Sequence, residues 1–154
     1  RDQKDCWQVV ANLDYAWLWF GKNIYGLAEF YYNGLGLGHG DYDRALADTQ
    51  LSRRLARGEL FTLGQTYLAG QLRAELHPLL QTSLITIVNL ADPSSIVQPQ
   101  LEWDLATDWQ LIAGASLYQG GNNTEFGGFY ADVDGTRVKI GPADGVYLWL
   151  SYYF

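Results

Sequence analysis

Gly145-Val-Tyr-Leu-Trp-Leu-Ser-Tyr-Tyr-Phe154 decides the fold. Counting back from Phe154, Tyr152, Leu150, Leu148 and Val146 occupy every second position, and Tyr153, Ser151, Trp149 and Tyr147 lie between them. A period of two over this length is a β-strand with one uniformly apolar face and one mixed face. In a soluble sheet such a strand, ending on an aromatic, is an aggregation hazard. The rest of the chain therefore has to account for it.

Working outward, the same alternation recurs. Trp7, Val9, Ala11, Leu13, Tyr15, Trp17 and Trp19 form an apolar face in a strand expected over 7–20, followed by a turn at Gly21-Lys22-Asn23. Ile24, Gly26, Ala28, Phe30 and Tyr32 repeat it over 24–33. Thr66, Leu68, Gly70, Leu72, Ala74 and Leu76 repeat it over 62–76. His77-Pro78 turns into a strand over 80–90 that has apolar residues on both faces, because Ile85 and Ile87 oppose Leu84, Val88 and Leu90. Beyond a turn at 91–95, Val97, Pro99, Leu101, Trp103 and Leu105 share a face. Pro99, which lacks a ladder donor, is expected near that strand's start or at a bulge. Thr107-Asp108 leads into Trp109, Leu111, Ala113, Ala115 and Leu117. The connections alternate between short ones and the long stretches 34–60 and 119–144. Within the latter, 126–130 and 136–140 are expected to extend a hairpin. Within 34–60, Asp43 and Gly58 bracket a short helix.

Composition narrows the class. The chain has 154 residues, 15% aromatic and 18% charged, against about 25% charged in ordinary soluble domains, and its mean hydropathy is −0.13. No run of about 20 apolar residues is available for a membrane helix. A sheet wetted by lipid on one face and water on the other averages to such a hydropathy. A net charge of −7 argues against nucleic acid. The lone cysteine, Cys6, excludes an internal disulfide.

In its alternation, its short and long connections, its aromatic-rich strand ends and its terminal Phe, the chain resembles the C-terminal portion of a bacterial outer-membrane β-barrel protein, porin-like. The resemblance implies an all-β, antiparallel transmembrane barrel spanning residues 1–154 as one region, with about seven strands present and the C-terminus at the periplasmic edge. Val146, Leu148, Leu150, Tyr152 and Phe154 then match the assembly signal of that class. Because the first and last strands run the same way, the chain is expected to be part of a larger barrel. Its partners would be outer-membrane lipid, the remaining strands (from an N-terminal segment or another chain), and a plug or partner subunit.

With the apolar faces toward lipid, the opposite faces line the lumen. Asp14, Glu29, Gln71, Arg73, Glu75, Gln100, Glu102 and Asp104 are the pore-lining candidates, with Gln65, Gln98 and Gln110 beside them. Arg53, Arg54 and Arg57 are candidates for a loop constriction or for contact with lipid head groups. The expected function is passive passage of small polar solutes or ions through a channel, or a structural barrel that encloses a partner protein. No catalytic role, cofactor or metal is expected. His39-Gly-Asp41 lacks a second acidic pair, and no Ser is placed beside His77. Asp132-Val-Asp134-Gly135 lacks the later ligands of a calcium loop, and Gly120-Gly-Asn-Asn123 opens no helix that could cradle phosphate.

Overall fold

The computed structural model of the chain describes residues 7–38, 42, 62–133 and 136–154. Seven strands form one antiparallel sheet: β1 (Gln8–Trp19), β2 (Lys22–Asn33), β3 (Thr66–His77), β4 (Leu80–Asn89), β5 (Ser94–Ala106), β6 (Trp109–Gln119) and β9 (Gly145–Tyr152). Their order is that of the chain, β1-β2-β3-β4-β5-β6-β9, and the sheet is open, with β1 and β9 at its edges. Among the described residues the two short strands β7 (Phe129–Val133) and β8 (Thr136–Ile140) pair with each other and not with the large sheet. The expected hairpin extension is thus a separate two-stranded ribbon. The helix expected over 43–58, together with Cys6, His39, Asp41 and the three Arg at 53, 54 and 57, lies outside the described residues.

Register fixes which side chains share a face, since side chains alternate with a period of two. Tyr67 pairs with Tyr31 and Asn89, and Asn89 pairs with Ser94. Continuing along each strand, Tyr25, Leu27 and Glu29 lie on the same face as Ala69, Gln71, Arg73, Ile85, Gln98, Gln100 and Glu102. The other face carries Phe30, Leu68, Leu72, Leu84, Val97, Leu101, Leu111 and Leu148. The two-sided β4 resolves in the same way. Leu84 and Val88 lie on the apolar face, while Ile85 and Ile87 turn to the polar one opposite Gln71 and Ala69.

Exposure runs against the soluble rule. On the apolar face Leu68, Leu72, Leu76, Leu84, Trp103 and Trp109 are all exposed, at 41–46%, whereas on the polar face Gln71, Glu75, Gln100 and Glu102 are half-buried. Contiguous apolar exposure on this scale marks an interaction or membrane surface.

Local chemistry explains the turns. The first turn is Phe20-Gly21, one residue earlier than the expected Gly21-Lys22-Asn23, with φ of 48° at Phe20 and 71° at Gly21. Two consecutive left-handed residues make the type I′ hairpin, whose twist matches that of the strands it joins. Pairing then runs unbroken from Trp19↔Lys22 to Gln8↔Asn33. At the same edge, register shifts between Glu75 and His77 and between Asp104 and Ala106 give β3 and β5 a bulge next to their short turns. The His77 imidazole has a local role, its Nδ1 accepting from the Leu79 amide at 3.2 Å. Pro99 departs from expectation. It lies within β5, paired to Leu84 on one side, and the β5–β6 ladder lapses at Gln98 and Pro99. The missing donor is bridged nearby by Gln98 Nε2 donating to Ser116 Oγ at 3.0 Å.

The aromatic bands are unequal. Near the short turns Trp17, Trp19, Trp103, Trp109 and Tyr152 share the apolar face, and the Trp109 and Tyr152 rings sit 4.9 Å apart. The terminus reaches this edge, since the Tyr153 amide donates to the Asp108 carbonyl at 2.9 Å. At the long-loop edge Tyr32 is on the apolar face, but Tyr31, Tyr67 and Tyr118 are on the polar one. That band is correspondingly thinner.

A bulky side chain in the left-handed region costs about 1 kcal/mol. Phe20→Asn should therefore raise stability by about that amount, read as a higher urea midpoint at unchanged slope. Gly21→Val should lower it.

Candidate functional site

Two regions of the polar face hold its chemistry. The first is the strand wall on which Asp14, Glu29, Gln71, Arg73, Glu75, Gln100, Glu102 and Asp104 all fall. All eight expected pore-lining residues therefore share one face. The charges of Arg73, Glu75, Glu102 and Asp104 meet neutral amides. Asn23 Nδ2 donates to Glu75 Oε2 at 2.8 Å. Gln110 Nε2 lies 3.0 Å from both Glu102 Oε1 and Asp104 Oδ1. The Arg73 guanidinium donates through Nε to Gln81 Oε1 at 3.0 Å and also reaches that oxygen through Nη2. Between these groups, Gln71, Arg73, Gln81, Ser83, Gln100 and Glu102 line a depression of about 210 Å³. Beyond it, Gly114 leaves room for the ring of Tyr147, which a Cβ there would strike. Tyr147 then donates its hydroxyl to Gln100 Oε1 at 3.2 Å. The wall offers hydrogen bonds of both senses and an excess of carboxylates over its one guanidinium, which suits small polar or cationic solutes.

The second region lies at the long-loop edge, and the loop 120–128 builds it. The loop is folded on itself. Thr124 Oγ1 donates to the Gly121 carbonyl at 2.8 Å and accepts from the Gly127 amide at 3.1 Å, and the Asn123 amide donates to the Gly128 carbonyl at 2.9 Å. Gly120 and Gly127 approach so closely that neither could carry a side chain. This compact unit docks through Glu125 and Phe126, whose side chains are buried against the polar face.

Glu125 is the anchor. Its Oε2 accepts from the Tyr67 hydroxyl and from Asn89 Nδ2, the latter at 2.8 Å, and its Oε1 accepts from the Leu63 amide at 2.7 Å. Tyr67 in turn accepts from the Gly64 amide at 2.5 Å. A second carboxylate adjoins it. Asp92 Oδ2 accepts from the Tyr42 hydroxyl at 2.5 Å and from the Glu125 amide at 2.9 Å, while Asp92 Oδ1 accepts from Ser94 Oγ. Rings seal the cluster, with Phe126 6.5 Å from Tyr67 and Phe129 5.8 Å from Tyr42. Burial, foremost, raises the Glu125 carboxyl above its ordinary value, with Asp92 adding to the rise and the donors from Tyr67, Leu63 and Asn89 opposing it. Burial and Asp92 likewise hold the Tyr42 hydroxyl above its ordinary range, so it stays a donor.

Sequence reading did not find this cluster. Asn89 read as a residue of the strand over 80–90, Asp92 and Ser94 read as turn composition, and Glu125 sits in a Gly- and Asn-rich loop. The one available signal was an acidic–aromatic pair, Glu125-Phe126, inside an otherwise small and polar stretch. The Asp132–Gly135 motif lies outside the residues whose side chains are described.

Asn89, 1% exposed, is the donor both carboxylates share. Removing it takes a buried hydrogen bond from each carboxylate, at about 1–3 kcal/mol for a bond to a charged group. Asn89→Ala should thus cost about 2–3 kcal/mol in urea unfolding, whereas Gln81→Ala, at the exposed Arg73 contact, should cost under about 1 kcal/mol. Compared with known proteins, the chain matches no family model, no curated protein and no solved structure.

Proposed function

We propose that this sheet is part of the wall of an antiparallel β-barrel in a bacterial outer membrane, and that it serves passive passage of small polar solutes or ions. The observation that carries the reading is the inverted exposure of the two faces. Across β2 to β6 the apolar face, with Leu72 and Leu84, is the more open and the polar face the more covered, while the edge strands β1 and β9 are exposed on both faces. In water this arrangement costs hydrophobic free energy over a whole sheet face; against lipid it is the stable one. The Trp and Tyr band near the short turns supports it, because amphipathic rings settle at the membrane interface.

In this reading Val146, Leu148, Leu150 and Tyr152 meet lipid, with Phe154 at the periplasmic edge. The wall residues Gln71, Arg73, Gln100 and Glu102 meet solute. Asp14, Glu29, Glu75, Glu102 and Asp104 against Arg73 give a cation preference, and the function assigned is transport, not catalysis. The edge strands β1 and β9 pair with further strands of the same polypeptide or of another chain.

A second reading, a structural barrel that encloses a partner, is favoured by the docked loop 120–128, which covers the polar face at the long-loop edge. Planar-bilayer recording separates the two, since steady ohmic conductance supports the channel and a silent bilayer supports the filled barrel.

The membrane itself is tested by paired substitutions. An Arg facing lipid near the bilayer midplane costs about 2–4 kcal/mol, while a surface change on a soluble sheet stays within about 0.5 kcal/mol. Leu84→Arg should impair folding into phospholipid vesicles to the larger extent, and Gln71→Arg should be tolerated. Equal, small effects of the two would remove the membrane reading.

A further inference from the structure

At the long-loop edge two buried carboxylates face one another, with no cationic side chain bonded to either among the described residues. Asn89 Nδ2 lies 2.8 Å from Glu125 Oε2 and 3.4 Å from Asp92 Oδ2, so the two acids converge on a single N–H₂ group. The donors reaching them among the described residues are all neutral. Glu125 takes Tyr67, Asn89 and the Leu63 amide, and Asp92 takes Tyr42, Ser94, Asn89 and its neighbour's own amide. Glu125 and Asp92 are 8% and 5% exposed. Two negative charges so placed repel and are poorly solvated, and a bound proton relieves both penalties.

The titratable groups facing Glu125 among the described residues are Tyr67 from β3, Tyr42, and Asp92 from the connection between β4 and β5. Asn89 and Ser94 from the strand ends carry no charge. Only Glu125 belongs to the loop. Its main-chain neighbours are suited to movement, because Gly120, Gly121, Gly127 and Gly128 flank the docked residues and Gly128 has a φ of +89°.

We propose that the segment 120–128 is a proton-operated flap, seated over the polar face when Glu125 is protonated and released when it ionises. This rests on the reading of the polar face as a lumen wall, where the flap would govern access from the long-loop side. The sign follows from the carboxyl's direction of shift. Because the seated state holds the Glu125 proton more tightly than the released one, seating is strongest below the ordinary value of 4.5. It weakens as pH rises through the raised value.

The test is a nitroxide on a cysteine placed by Asn122→Cys at the exposed loop tip, in the full chain carrying Cys6→Ser, with mobility followed by electron paramagnetic resonance from pH 4 to 9. The wild-type loop should pass from an immobile to a mobile spectrum as pH rises. Glu125→Gln should hold the label immobile throughout. Asp92→Asn, which removes the repelling charge, should let the ionised carboxylate stay seated and move the midpoint of release up by about 1 pH unit. A label mobility independent of pH in the wild type, or a transition retained in Glu125→Gln, overturns the flap. Should Glu125→Gln lose its β-sheet circular dichroism, the Asp92→Asn midpoint decides, and an unmoved midpoint overturns the proposal. Vesicle insertion is measured separately. Failed insertion with a pH-responsive label removes the membrane reading alone, and successful insertion with a silent label removes the flap alone.

Discussion

The antiparallel ladder is the constraint on which everything else depends. Once Trp19 pairs with Lys22 across the Phe20-Gly21 turn, each later strand is locked to its neighbour. A slip of one residue anywhere would send an entire hydrophobic set to the opposite face. The two bulges, at Glu75/His77 and Asp104/Ala106, lie at the strand ends, so they leave the face assignment of the long central stretches intact. The ladder also tolerates the loss at Pro99, because pairing with β4 continues through Leu84 and the side chains of Gln98 and Ser116 bond across the gap.

That lock explains what could be read from the sequence. Alternation at Leu68, Leu72 and Leu76, or at Val146, Leu148 and Leu150, needs no knowledge of distant residues, and the faces it implies are those the register produces. The misplaced first turn left the faces correct because they were read from the alternation within each strand, and Trp17, not Leu18, does pair with Ile24. For β4 local pattern was insufficient. Ile85 and Ile87 are as apolar as Leu84 and Val88, and only pairing with Gln71 and Ala69 decides between them.

The acid cluster was illegible for the opposite reason. Its bonds join residues far apart in sequence: Glu125 to Tyr67 and Asn89, and Tyr42 to Asp92. No periodicity encodes such contacts, and each participant taken alone is an ordinary turn or strand-end residue. The sheet supplies the platform by holding Tyr67, Asn89 and Ser94 side by side on adjacent strands. The loop then supplies an acidic side chain whose burial is tolerable because that platform presents hydrogen-bond partners. Fold and site therefore differ in kind: the first is periodic and local, the second a convergence that periodicity makes possible without announcing.

The sheet's edges impose a last condition on any membrane role. Among the described residues β1 and β9 each have one neighbour, and an unsatisfied backbone group in hydrocarbon costs several kcal/mol. Seven strands in antiparallel succession leave β1 and β9 running in the same direction. Two copies placed side by side in the same orientation would bring β1 of one against β9 of the other as a parallel seam. Antiparallel closure instead takes an odd number of added strands, the outermost of which oppose β1 and β9. Those strands would have to continue the period of two, with apolar residues level with Val9, Leu13, Val146 and Leu148. Strand parity, more than the chemistry of the wall, thus sets which polypeptides could complete this sheet in a membrane.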